Sequence, residues 1–117
     1  MIRVRLRRDG DVCALSAKGH ATGSIAVCAA VSGLLSALEA WLREADVTLC
    51  ADRLKPGDAL LIWRGGAAGQ AVYRLAEIAL RQLEAAEPER IEIFFPPLGE
   101  NARTRVYDRS VRRNAYE

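Results

Sequence analysis

The chain opens on a strict alternation in which Ile2, Val4 and Leu6 are apolar and Arg3, Arg5 and Arg7 are charged. A two-residue period belongs to a strand with one buried and one wet face, so the pattern predicts a strand from Ile2. Asp9-Gly10 interrupts it with two residues that tolerate positive φ, the composition of a tight hairpin turn. Val12 to Ala17 then predicts the returning strand, ended by Gly19. From there the period lengthens. Val27, Val31, Leu34, Leu35, Leu38 and Leu42 fall on one helical stripe, and Ser24 stands where a side-chain oxygen would cap the first turn. Val47 to Ala51 predicts a short strand. Lys55-Pro56-Gly57-Asp58 is turn chemistry, and Ala59 to Trp63 is a strongly apolar strand. Gly65-Gly66-Ala67-Ala68-Gly69 leads into a second helix with Val72, Leu75, Ala79, Leu80 and Leu83 on one face and Pro88 just past its end. Ile91 to Phe95 predicts a last strand, stopped by Pro96-Pro97.

The order β-β-α-β-β-α-β predicts an α/β (α+β) sandwich, a mixed five-stranded sheet carrying two helices. No internal repeat is visible. Residues 1–97 read as one domain. Residues 98–117 hold five arginines without an apolar period and read as a mobile basic tail.

Composition narrows the function. A chain of 117 residues buries roughly two-thirds of its unfolded surface, enough for a core without covalent staples. A net charge of +2 makes no case for nucleic acid by charge alone, so such contact is expected to be incidental. Cys13, Cys28 and Cys50 are odd in number, none forms Cys-x-x-Cys, and there is a single histidine, which argues against a zinc site within one chain. No cofactor is expected. The alternating N-terminus resembles neither a signal peptide nor a membrane span. The expectation is a soluble protein of the reducing cytoplasm, not bound to membrane.

The candidate chemistry lies in Gly19-His20-Ala21-Thr22-Gly23-Ser24-Ile25-Ala26-Val27-Cys28 and continues to Ser32. Histidine and cysteine are the base and nucleophile of thiol catalysis. His20 ends a strand and Cys28 begins a helix. The four peptide steps from His20 to Ser24 span at most about 14 Å, so imidazole and thiol can meet. A helix N-terminus favours a thiolate, and its free N–H groups suit an oxyanion. Cys28 and Ser32 share the edge of the apolar stripe, where a thiol is shielded yet reachable, and the Ser32 hydroxyl is one turn away. The competing reading is a core cysteine and a capping or surface histidine.

Gly19-His20-Ala21 followed by Val27-Cys28-Ala29-Ala30-Val31-Ser32 resembles the signature of the Prp-type (YsxB-like) ribosomal-processing cysteine proteases, and the similarity covers about residues 1–95. The resemblance implies a cytoplasmic, homodimeric endopeptidase that removes a short N-terminal extension from large-subunit ribosomal protein twenty-seven. By position it makes Cys28 the nucleophile, His20 the general base, Ser32 a serine beside the site and Gly23 the end of the loop between them, with Gly19 in the same motif. Two departures stand out. The loop after the histidine is only Ala21-Thr22 where the family has a longer, lid-like one, and Ile25 replaces an acidic residue three before the cysteine. They imply an altered client, such as a phage capsid or scaffold protein. The alternative is a catalytically weak or inactive module that binds a ribosomal or phage protein.

Other features have plainer readings. The Gly65–Gly69 run lacks the Gly-Lys-Ser/Thr ending of a phosphate loop and reads as a strand-to-helix turn. Arg3, Arg5, Arg7 and Arg8 form a solvated basic face. Trp41 and Trp63 are expected in the core or a dimer interface, Cys13 and Cys50 as structural residues. Glu39, Glu44, Glu77 and Glu84 are expected on wet helix faces.

Overall fold

A computed structural model describes residues 1–95. The predicted order is observed: β1 Ile2–Asp9, β2 Val12–Lys18, α1 Ile25–Glu44, β3 Thr48–Lys55, β4 Asp58–Arg64, α2 Gly66–Ala86 and β5 Ile91–Phe94. The sheet runs β3-β4-β2-β1-β5. Only β1 with β5 is parallel; β1–β2, β2–β4 and β3–β4 are antiparallel. The expected basic tail, residues 98–117, lies outside the described residues.

Strands β1, β2 and β4 bury alternate residues on the helix side. Val4, Leu6, Cys13, Leu15, Leu61, Trp63 and Ile91 are fully buried there. Arg3, Arg5 and Arg7 of β1 fall on the opposite face, in register with Lys18, Ser16 and Ala14 of β2. Helix α1 contributes Val27, Val31, Leu35, Leu38 and Leu42 to the core. By length and composition α1 could cross a membrane, with a mean hydropathy of 1.8. Much of that apolarity is alanine on its outer side, and its large aliphatic stripe is spent on the sheet. Arg43 ties α1 to β3 by donating from Nε to Asp52 Oδ2 over 3.0 Å while also reaching Glu39. Asp52 is held below the usual carboxylate range by its hydrogen bond with Glu39 and by Arg43, and Glu39 is raised by the same hydrogen bond with Asp52.

Four expectations are corrected. In α2 the buried residues are Gly69, Tyr73, Ala76, Glu77 and Leu80. Leu75 is instead 63% exposed. The rotation comes from two anchors: Gly69 packs its bare Cα side on the Trp63 ring, whose Nε1–H donates to the Gly69 carbonyl at 2.9 Å. The glycine run is therefore the first turn of α2 rather than a turn before it. Glu77 is buried rather than solvated, its carboxylate bracketed by Arg74 and Arg81, each at 3.1 Å. Cys50 is exposed because β3 carries an irregularity between Leu49 and Ala51, which takes Cys50 out of the ladder. Cys13 is buried, and burial pushes its thiol up to about 11.

Leu15 sits fully buried in the middle strand of the sheet. Leu15→Ala should destabilise the fold by about 2–5 kcal/mol, the range for a buried leucine whose cavity cannot collapse, as read by urea denaturation.

Candidate active site

The site forms where β2 runs out. Gly19, at φ +96°, donates its N–H to the Gly57 carbonyl at 3.0 Å, so the ladder of β2 with β4 continues one step beyond Lys18 and Asp58. A side chain on Gly19 would collide with the Met1 carbonyl, which explains the glycine. The chain then turns. Thr22 N–H donates to the His20 carbonyl at 3.1 Å, Ser24 N–H to the Ala21 carbonyl at 3.0 Å, and Gly23 adopts φ +84°. The Met1 amino group donates to the His20 carbonyl at 2.7 Å. Helix α1 starts as the sequence predicts: Ser24 is the N-cap, and its Oγ accepts from Val27 N–H at 3.2 Å.

His20 is exposed and lies against the β3–β4 turn; a Cβ on Gly57 would come within 2.5 Å of the His20 Nε2. Cys28, one turn into α1, is half-buried. Both line a cavity of about 310 Å³ together with Ser32 and Ser36 of α1 and the Lys55–Asp58 turn. Val31, Leu35 and Leu54 give its wall an apolar strip. Gly19 borders the same space, whereas Gly23 is outside it, in the loop behind. The sequence-level pairing of His20, Cys28 and Ser32 is thus a shared cavity.

Within it the sulfur is engaged by the loop backbone. Ala21 N–H donates to Cys28 Sγ at 3.2 Å, and Sγ lies 3.9 Å from the Ala21 carbonyl oxygen. Among the described residues the thiol has no hydrogen bond to His20. The expectation of free N–H groups at the start of α1 needs narrowing. Val27 N–H is taken by Ser24 Oγ, and Cys28 N–H by the Ser24 carbonyl at 3.4 Å. That leaves Ile25 and Ala26 as the N–H groups of the first turn without an intrahelical partner. Ile25, the residue without the expected acid, is 88% exposed, so its side chain touches little of the site.

Sequence reasoning missed the β3–β4 turn. Its signal was Pro56-Gly57, read only as turn chemistry; Gly57 has a positive φ of +72°, and its missing Cβ makes room for the imidazole against bare backbone. Asp58 accepts from Arg53 Nη2 at 3.1 Å and lies 3.3 Å from Lys18 Nζ. The Arg53 hydrogen bond, with help from Lys18, holds its carboxyl below the usual range. Among the described residues no group of three or more histidine, cysteine and carboxylate side chains is placed to hold a metal ion.

No protein-family model matches the chain, and no curated protein matches it in sequence. Solved structures do match in fold. The Prp ribosomal processing protease of S. aureus, in complex with a covalently linked product peptide, aligns with a TM-score of 0.71 at 16% identity, over 82% of this chain and 100% of the other. The same protease with a substrate peptide gives 0.62 at 17% identity, covering 82% and 100%. SMU.848 from Streptococcus mutans gives 0.61 at 23% identity, covering 81% and 93%.

Two outcomes test this geometry. Gly57→Ala should strain a left-handed position by about 1–2 kcal/mol and push the imidazole out of the cavity wall. The ring signals of the single histidine in an NMR spectrum report it directly. Because the Asp58 carboxyl titrates below its ordinary value, its ion pairs are intact above that value and lost as the pH falls through the lower folded one. Acidification from pH 5 to below about 4 should therefore lower the melting temperature of the native chain more than that of Asp58→Asn.

Proposed function

We propose that this chain, which has the fold of the Prp ribosomal processing protease, is a cysteine endopeptidase with Cys28 as nucleophile and His20 as general base. The observation that carries the reading is the shared cavity: the only histidine and a half-buried thiol at the head of a helix line one cavity of about 310 Å³. The S. aureus neighbour, seen with both a substrate peptide and a covalently linked product peptide, supports the same use of the groove.

In the reaction, His20 takes the Cys28 proton as the sulfur attacks the scissile carbonyl carbon. The tetrahedral oxyanion is met by Ile25 and Ala26 N–H at the positive end of α1. The imidazolium returns the proton to the leaving amine as the C–N bond breaks, leaving a thioester. Water, deprotonated by His20, attacks that carbonyl and releases the acid and the thiol. In the free site the thiol bonds the Ala21 backbone; a direct bond to the imidazole tightens on substrate binding, as catalytic contacts commonly do. Ser32, one turn after Cys28, stays in the supporting role.

The client is a precursor with a short N-terminal extension, either large-subunit ribosomal protein twenty-seven or a phage capsid or scaffold protein, cut in the cytoplasm. The working unit is a homodimer. An apolar furrow of about 520 Å³ between α1 and α2, lined by Leu34, Trp41, Val72 and Leu75, offers the surface a second copy would cover. Nucleic acid and membrane are not part of the reading. One observation favours the alternative of an inactive binding module: the short Ala21-Thr22 loop leaves the cavity without a lid to exclude water.

Iodoacetamide labelling of Cys28, followed on its own tryptic peptide, decides between them. A peptidase should label with a midpoint well below the ordinary thiol value of about 8.5, and His20→Ala should raise it. Against a cleavable precursor, His20→Ala should cost about 10²–10⁴ in kcat and Cys28→Ser at least as much. An ordinary midpoint in both proteins would establish the binding module. Trp41→Glu should convert the dimer to monomer in light scattering without moving the labelling midpoint.

A further inference from the structure

Arg90, in the connection between α2 and β5, reaches back 68 residues to the loop that separates His20 from Cys28. Its Nη1 donates to the Thr22 carbonyl at 2.7 Å. The side chain is aimed before it arrives: Nε lies 3.1 Å from Glu87 Oε1. The backbone is fixed too, with Arg90 N–H on the Glu87 carbonyl at 3.0 Å and Ile2 N–H on the Arg90 carbonyl at 2.9 Å. The guanidinium passes over the bare backbone of Gly23, where a Cβ would lie 3.2 Å from Nη1.

The residue just before the clamped carbonyl is Ala21, whose N–H is the hydrogen bond to Cys28 Sγ. Ala21 is itself buried, so this stretch of loop is held from below by the core and from outside by Arg90. A backbone N–H directed at a sulfur favours the thiolate over the thiol, because a hydrogen bond to the charged form lowers the pKa. A loop this short cannot shift Thr22 without shifting Ala21. Arginine suits the clamp because it keeps its charge at every working pH.

We propose that the Ala21 backbone N–H is a catalytic donor to the Cys28 thiolate and that Arg90 is the positioning residue that keeps it on the sulfur. This rests on the cysteine-peptidase reading above and adds to it how the nucleophile is activated without a long loop. Removing the clamp frees the loop and weakens the Ala21 contact with the sulfur. His20 remains the base, so the two contributions are separable.

The experiment is the pH profile of Cys28 alkylation in the full-length chain with Arg90→Met, Arg90→Lys and Arg90→Gln, each checked for folding by thermal unfolding. Arg90→Met should raise the midpoint by about one unit and slow labelling near neutral pH about tenfold, the scale of one hydrogen bond to a charged group. Arg90→Lys, which keeps a cationic donor for Thr22, should stay within about 0.3 units of the native value. If Arg90→Met does not fold, Arg90→Gln carries the comparison and should fall between the two. A lower melting temperature with an unmoved midpoint would make Arg90 a structural staple and overturn the proposal. If the native midpoint is low and depends on His20 while the Arg90 variants match it, the clamp alone fails. An ordinary native midpoint overturns the peptidase reading together with the clamp.

Discussion

The hydrogen bond from Gly19 N–H to the Gly57 carbonyl is the constraint on which the site depends. It joins the end of the middle strand to the β3–β4 turn, and both residues hold positive φ. A Cβ on Gly19 would strike the Met1 carbonyl, and one on Gly57 would meet the His20 ring and displace it. Two bare backbones in contact leave a seat for one imidazole. The seat is part of the sheet, so the histidine sits on the most rigid element available although its residue is nominally in a loop. The same bond sets where the chain leaves the sheet, and the cap at Ser24 follows within a single turn.

Cys28 is positioned by a different means. Its helix buries Val27, Val31, Leu35, Leu38 and Leu42, and each such side chain is worth roughly 1.5–3 kcal/mol. The Ser24 cap contributes about 1 kcal/mol. Core packing therefore decides how α1 lies on the sheet, while the cap decides at which residue it begins. Cys28 neighbours Val27 and precedes Val31 by three residues, so its sulfur stands at the flank of a stripe it cannot leave. Cys28 and His20 are thus fixed by two nearly independent systems, helix packing and strand-to-turn hydrogen bonding, and both line the same cavity. The loop between them has little left to determine.

Much of this was legible in the sequence because the signals were periodic. The alternation of β1, the Asp9-Gly10 turn and the α1 stripe are local patterns that tertiary contacts had no reason to override. The α2 face was misjudged because its anchors are not aliphatic. Gly69 on Trp63 sets the helix so that Leu75 turns outward, and Arg74 and Arg81 of the same helix neutralise the Glu77 carboxylate that is buried as a result; hydrophobicity cannot register a bare Cα or a neutralised acid. His20, Cys28 and Ser32 were found from residue types and spacing. The part that Gly57 plays beneath the imidazole was not, since nothing local connects residue 57 to residue 20. Arg90 was invisible for the same reason, compounded by a separation of 68 residues.

The shortened loop changes what kind of site this is. A long segment after the histidine could close over a bound peptide and exclude water by moving. Ala21 and Thr22 cannot: Ala21 is buried, its N–H is on the sulfur, and the Thr22 carbonyl is on Arg90. The segment is fixed. In the mechanism proposed above, whatever shields the thioester from premature hydrolysis must then come from the peptide filling the groove. Selectivity in the proposed reaction shifts from a closing motion toward the fit of substrate against fixed surfaces, among them Val31, Leu35, Leu54 and the Lys55–Asp58 turn. In that proposal a fixed loop also removes the entropy cost of ordering a lid for each turnover, an advantage if the precursor binds weakly. In that light a clamped loop and an open groove are one arrangement, in which closure is traded for preorganisation of the sulfur.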